Sequence, residues 1–508
     1  MFTPPLPGWL ACAGFALKRV TDLLERLVPQ ARAEVWSSVW VWIQFLEEVN
    51  IKRPPAASSL MRLVFMDTII GFWDDPHTRP SVESQGRIHE FLTAGWVSTF
   101  NFPYVASTLI PGVSRFVLSI TDMGNATHVR ELIAGSGGSN NDLASLIVKH
   151  LRKVIPRRDS VLTQNDGVAL LAALKIAEYA PLSEFLASHG FVDVICTTLC
   201  ALCGPEMTSR PLLLPLPLPP MVFEQLLIHL DVFPRMTRLK EALDGGILRA
   251  IVLSASRPIV ADYQKHLQAL LGSILPQGLV YHSVLTRLRA ALDDAKPLTR
   301  NREFRNSVFF GMWQDFVRAA TDRLDLLAKF DRGEIGQTRA CGHIECTSPM
   351  KTDDDLMRCA RCRSSFYCSK ECQSQDWAAG HRKLCRSLLK REDELAYLST
   401  EVKFLRTILN HDYAHARPDV AAKHTKALET HPDALCGVIF DYRQGPTGQI
   451  ECGPLPADSE LTRLFGARVE RSGGRLELHV MVLNVGKART EWLALPMRVG
   501  GETFGATH

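Results

Sequence analysis

The sequence predicts a mainly α chain in three parts. An all-α helical array covers 1–335, a compact cysteine-rich module covers 336–388, and a linker helix with a small α+β domain covers 389–508. Three observations carry this reading. Apolar residues recur at helical spacing in segment after segment from about residue 17 to 333. Seven of the 13 cysteines crowd into 341–385, and period-two alternation of apolar and polar residues emerges only after residue 434.

The helical part is read from its amphipathic or buried segments, taken in order: 36–49 (WSSVWVWIQFLEEV), 58–73, 84–100, 140–155, 167–180 and 181–204. Further helices are expected at 222–233, 247–256, 259–274, 279–293 and 302–330. Helices of this length joined repeatedly by short loops resemble a stacked array of the armadillo or HEAT kind. No clean repeat period emerges, so an irregular all-α domain stands beside that reading. Either way the region is a core that also offers a long surface to other proteins.

Two features inside it invite a chemical reading. Cys196, Cys200 and Cys203 (CTTLCALC) sit in an apolar helical stretch without a nearby fourth donor; buried free cysteine behaves as a small hydrophobe, so core packing is expected. Pro211-Leu-Leu-Leu-Pro215-Leu-Pro-Leu-Pro-Pro220 must run extended, because proline fixes φ and removes amide donors. A surface connector between helical blocks is its default role. Gly135–Gly138 is glycine-rich but has no strand before it and no lysine after it, so it reads as a flexible connector rather than a phosphate loop.

The chemistry lies in 341–385, where donors come as four pairs: Cys341/Cys346, Cys359/Cys362, Cys368/Cys372 and His381/Cys385. Seven soft thiolates and one imidazole suit two structural zinc ions in closed four-coordinate shells. CxxC at 359–362 supplies two donors from one turn. CxxxC at 368–372 and HxxxC at 381–385 place theirs one helical turn apart on a single face.

The run Cys359-Ala-Arg-Cys362, Tyr367-Cys368-Ser369-Lys370-Glu371-Cys372-Gln373, Trp377 and His381-Arg-Lys-Leu-Cys385 resembles the MYND-type zinc finger. The resemblance implies an interleaved topology, with Cys341/Cys346/Cys368/Cys372 on one zinc and Cys359/Cys362/His381/Cys385 on the other. It also implies a peptide-docking groove, often for proline-rich segments, at positions matching Gln373 and Trp377, with Tyr367 in the matching YC segment. An exposed Trp is a flat platform for a proline ring, and a Gln can hold a peptide backbone. The competing role for Trp377 and Tyr367 is to fill the mini-core between the zincs. The first pair is Cys-x4-Cys where the family spacing is commonly Cys-x2-Cys; His343 lies inside the longer loop as a rival donor to Cys346, but the single residue between it and Cys341 leaves little room to turn both donors inward. Pro211-x-Leu213-x-Pro215 resembles the PxLxP peptides that such fingers bind, which raises a self-contact within or between chains.

Beyond the finger, a charged helix is expected to run on from HxxxC to about residue 410. Strands are expected at 434–442, 447–453, 475–485 and 490–499, the last two paired through the turn 486–489, forming an antiparallel sheet. The third reads as half-buried, with Leu476, Leu478 and Val480 alternating against Glu477, His479 and Met481.

Composition narrows the function. A formal net charge of +4 over 508 residues gives no reason to expect a polyanion partner. Within the finger seven Lys/Arg face six Asp/Glu, and seven thiolates outweigh two dications, so a DNA-binding regulator is disfavoured. A SET-type lysine methyltransferase is disfavoured too: the only Asn-His, Asn410-His411, has no matching partner segment. Phosphate-loop, GxSxG and HExxH signatures are missing. Free thiols and zinc thiolates imply a reducing compartment, cytoplasmic or nuclear; the N-terminus, without a leading basic residue and with early prolines, does not read as a signal peptide, and no apolar run reaches membrane-spanning length. The expected function is that of a zinc-binding, non-catalytic adaptor that recognises protein, with no membrane and no nucleic acid among its partners.

Overall fold

The computed structural model describes residues 8–52, 55–205, 207, 218–257, 263–335, 338–339, 341–348, 351–352, 355–363, 365–394, 399–446, 448–486 and 489–498. Mainly α is the class observed. The chain packs as two compact units, one of residues 1–229 and 245–263, the other of 230–244 and 264–508. The expected boundary at 335 falls inside the second unit.

The first unit is built of helices. Pro55–Asp74 packs on Gly8–Leu23 and Ile88–Ser98, Pro103–Ile120 and Asn140–Val154 pack on Gln164–Ala177, and Phe191–Leu202 packs on Ile247–Ala255. Local sequence sets several starts. Thr163 and Asp166 form a reciprocal capping box for Gln164–Ala177, and Ser139 accepts from the Asp142 amide at 3.2 Å to open Asn140–Val154. Close helix approach needs glycine: a Cβ on Gly135 would lie 2.2 Å from the Glu90 carbonyl oxygen. The helices Arg79–Glu83, Pro103–Ile120 and Ala126–Ser136 go beyond the sequence expectation. Pro111 lies inside Pro103–Ile120, a residue type that disfavours a helix interior, and tertiary packing carries the helix through it. Cys196, Cys200 and Cys203 are buried in or beside Phe191–Leu202, as core residues. Residues 211–217, with Pro211–Pro215 among them, lie outside the described residues, while 218–220, expected to run extended, instead open the helix Leu218–Leu230, where proline is tolerated in the first turn. Among those described, no single helix is long and apolar enough to cross a membrane.

In the second unit the helices His282–Ala295 and Phe310–Asp331 pack with a 32-residue helix, Ser399–Thr430. That helix runs well past residue 410, where the sequence reading stopped it, and takes Pro418 inside. It lies on a four-stranded sheet of β1 (Cys436–Asp441), β2 (Gln449–Pro454), β3 (Leu476–Gly486) and β4 (Arg489–Arg498), ordered β2-β1-β3-β4. The β1–β2 and β3–β4 pairs are antiparallel as expected, but β1 and β3 pair in parallel, Ile439 opposite Val480. Parallel neighbours need a crossover, and the helix Glu460–Arg471, missed in the sequence, lies in that connection. The expectation of a half-buried β3 is also corrected. Leu478 and Val480 on one face share a core with Leu461 and Phe465 of the crossover helix. On the other face His479 meets Tyr413 of the long helix, ring centroids 4.6 Å apart. Central position in the sheet buries both faces.

Candidate metal centre

The finger is assembled from short pieces. Met357–Arg358 and Phe366–Tyr367 form a two-residue antiparallel pair that carries the CxxC turn between them. Ser369 caps the helix Lys370–Asp376 by accepting from the Cys372 amide at 3.2 Å, which fixes Cys372 one turn from Cys368. The turn Trp377–His381 contains Gly380 at φ 142°, where a side chain would be strained, and leads into Arg382–Glu394, setting His381 and Cys385 on one helical face.

These pieces bring the eight donors into two groups: Cys341, Cys346, Cys368 and Cys372, and Cys359, Cys362, His381 and Cys385. Within each group the donor atoms lie within 4.8 Å of one another. A tetrahedral zinc with Zn–S bonds of about 2.3 Å sets its sulfurs about 3.8 Å apart, and an imidazole nitrogen about 3.5 Å from each sulfur. The Sγ atoms of Cys346 and Cys368 are 3.5 Å apart, those of Cys368 and Cys372 3.6 Å, and those of Cys359 and Cys385 3.8 Å. His381 Nε2 lies 3.4 Å from Cys359 Sγ and 3.6 Å from Cys362 Sγ. Both groups fit zinc, and the pairing is the interleaved one. His343 stands outside the first group.

Burial and mutual proximity set the protonation of the donors, lowering Cys359 and Cys368 and raising Cys372. Burial, with neighbouring thiols contributing, pushes Cys341 and Cys385 up to about 12. Burial likewise lowers His381, keeping it the neutral imidazole that a metal needs. A divalent ion at the centre of each group would offset the upward shifts and let all the sulfurs ionise. Ser365 Oγ lies 3.5 Å from His381 Nδ1, on the ring edge away from the donors.

The predicted peptide contacts divide. Tyr367 is fully buried and donates its hydroxyl to Asp376 Oδ2 at 2.7 Å. It is a core residue without surface for a peptide, and that part of the expectation is corrected. Gln373 and Trp377, one turn apart along the helix and the turn after it, are both half-buried; Trp377 packs its inner side against the shared core, 5.7 Å from the His381 ring.

Sequence reasoning missed the residues that tie the finger down. Asp376 is buried and lies 3.4 Å from Arg468 of the crossover helix. Arg468 also donates to the Gly342 carbonyl, and Arg471 donates to the Ala379 carbonyl. The only local hint is the acidic residue directly before Trp377; its partner lies 92 positions away.

Residues 341–385 match the family model for the MYND finger. The segment is a MYND finger. Over 33 residues the chain is 58% identical to Egl nine homolog 1 of Homo sapiens and of Mus musculus, a stretch that is 6% of this chain and 8% of each relative's length. The chain therefore spans under a tenth of the curated relatives it matches. No solved structure matches it. A MYND finger binds zinc and mediates protein–protein interaction, and the two donor groups here are its two zinc sites.

Proposed function

We propose that this chain is a non-catalytic adaptor whose MYND finger docks a proline-rich peptide beside Gln373 and Trp377. The supporting observation is the division of the finger's aromatics: Tyr367 and Phe366 are buried, while Trp377 keeps part of its ring exposed next to a half-buried Gln. The Trp is followed closely by two fixed points, the Ala379 carbonyl that accepts from Arg471 and the zinc-site residue His381. A rigid platform loses little entropy when a peptide binds, and a proline-rich peptide is itself extended before docking. The non-catalytic reading rests on two shells already filled by protein donors, which leave no position for an activated water. A cytosolic or nuclear setting goes with this reading, because thiolate ligands need reducing conditions.

The test is a fluorescence titration with a synthetic peptide spanning residues 209–221, whose PxLxP core is the chain's own Pro211–Pro215. Wild type, Trp377→Ala and Gln373→Ala would be compared after confirming two zincs per chain in each. Binding weakened at least tenfold in Trp377→Ala is expected. Equal affinity in all three would remove the docking proposal, and the same peptide read against self-association of the full chain decides the self-contact.

A further inference from the structure

On the long helix Ser399–Thr430, His411 and His415 stand one turn apart with ring centroids separated by 4.4 Å. Both are exposed; the His411 side chain keeps 43% of its surface. Each ring has one nitrogen engaged. His411 Nδ1 lies 3.1 Å from Asp412 Oδ1, and His415 Nδ1 lies 2.8 Å from the His411 carbonyl oxygen. A carboxylate and a carbonyl can only accept, so each Nδ1 carries the proton when the ring is neutral, and each Nε2 keeps its lone pair. Neither Nε2 has a hydrogen-bond partner among the described residues.

The carboxylate behind His411 is itself fixed. Arg323 grips Asp412 through two hydrogen bonds of 2.9 and 2.7 Å, and the Tyr442 hydroxyl donates to it at 2.8 Å. A carboxylate–imidazole pair with the far nitrogen outward is the outer-shell arrangement that orients a metal-binding histidine. Two imidazoles at i and i+4 place both donors on one helical face.

We infer that His411 and His415 form a third, exchangeable metal site for a divalent ion of the zinc, nickel or copper class. Imidazole suits these ions, and two protein donors leave the other positions to water. The site differs in kind from the finger's closed shells: no sulfur takes part, and its ligands come from one turn of one helix. That turn lies just ahead of Pro418, which lacks an amide to continue the helical ladder, so an ion bridging 411 and 415 pins the helix where proline weakens it.

The experiment is a calorimetric titration of Ni2+ into the untagged full chain already holding two zincs, with zinc content checked afterwards. One further equivalent per chain is expected, with zinc retained and thermal stability raised by the added ion. His411→Ala and His415→Ala each remove that equivalent, and Asp412→Asn weakens it by about 10–100-fold. His415→Ala leaves the Asp412 network untouched, so its result stands even where Asp412→Asn disturbs the fold. Absence of a third equivalent in wild type, or its survival in the His411→Ala/His415→Ala double variant, would overturn the assignment.

Discussion

Arg468 and Asp376 stand 3.4 Å apart with both side chains largely buried, joining the crossover helix of the sheet to the middle of the MYND finger. The same carboxylate accepts from Tyr367, and the same guanidinium donates to the Gly342 carbonyl. Removing one member of a buried pair leaves the other charged and unmatched. Arg468→Ala is therefore expected to cost about 3–5 kcal/mol of stability in the second unit. Urea denaturation followed by circular dichroism reads this, and a loss under 1 kcal/mol would show the pair to be energetically idle.

Tyr367→Phe keeps the ring in the core but strips one donor from Asp376. The expected cost is about 1–3 kcal/mol, with zinc content and peptide affinity unchanged. Trp377→Ala should do the reverse, sparing zinc content and weakening peptide binding. A Tyr367→Phe variant that loses peptide affinity at full zinc content would return Tyr367 to the binding surface.

Zinc removal should reach beyond the finger. Cys341, Cys359, Cys362, Cys385 and Tyr367 share one core with Leu455, Leu461, Phe465, Leu478 and Val480. Zinc supplies the folding energy of a module this small. Chelation is thus expected to accelerate amide exchange along β3 and the helix Glu460–Arg471 while leaving Gln164–Ala177 protected. Equal protection of β3 with and without zinc would contradict this.

Acid should weaken the first unit through its histidines. His150 is fully buried, accepts from Trp96 Nε1 at 3.1 Å on Nδ1, and sits 3.2 Å from the Ala169 carbonyl oxygen through Nε2. Burial lowers it from 6.5 to about 4, and burial, together with neighbouring His128, does the same to His89. The unfolded chain takes up a proton near 6.5, whereas folded His150 resists until about 4, so this stability is complete above pH 6.5 and lost as the pH falls to 4. The loss is about 3 kcal/mol for His150 alone. Denaturation midpoints measured between pH 7.5 and 4.5 should fall less steeply in His150→Gln; an identical slope would exclude His150 as a cause.

Much of the finger was legible because its chemistry is local. CxxC, CxxxC and HxxxC each place two donors within a turn, so six of the eight donors are legible from those spacings, and Cys341 and Cys346 complete the set. Helical phase likewise revealed Asn140–Val154 and Gln164–Ala177, where polar caps and an apolar face agree. Long-range relationships left no such trace. The parallel pairing of β1 with β3, the helix Glu460–Arg471 between them, and the Asp376–Arg468 contact are set by packing partners far along the chain. His479 misled for the same reason: a histidine in a strand reads as a solvent position, yet here it is wholly buried against Tyr413 and 3.2 Å from Glu477. The sequence allows both Tyr367 and Trp377 either a core or a surface role, and the packing behind them decides which one keeps a surface.

Leu478 and Val480 of β3 lie under the finger, in the core that its cysteines complete. Cutting out residues 336–388 would strip those strand residues of cover and expose an apolar face on the centre of a sheet, the kind of surface that drives chains to associate. In this protein the zinc module is not a portable cassette but a lid on the core of the C-terminal sheet, so loss of its metal is expected to uncover that core.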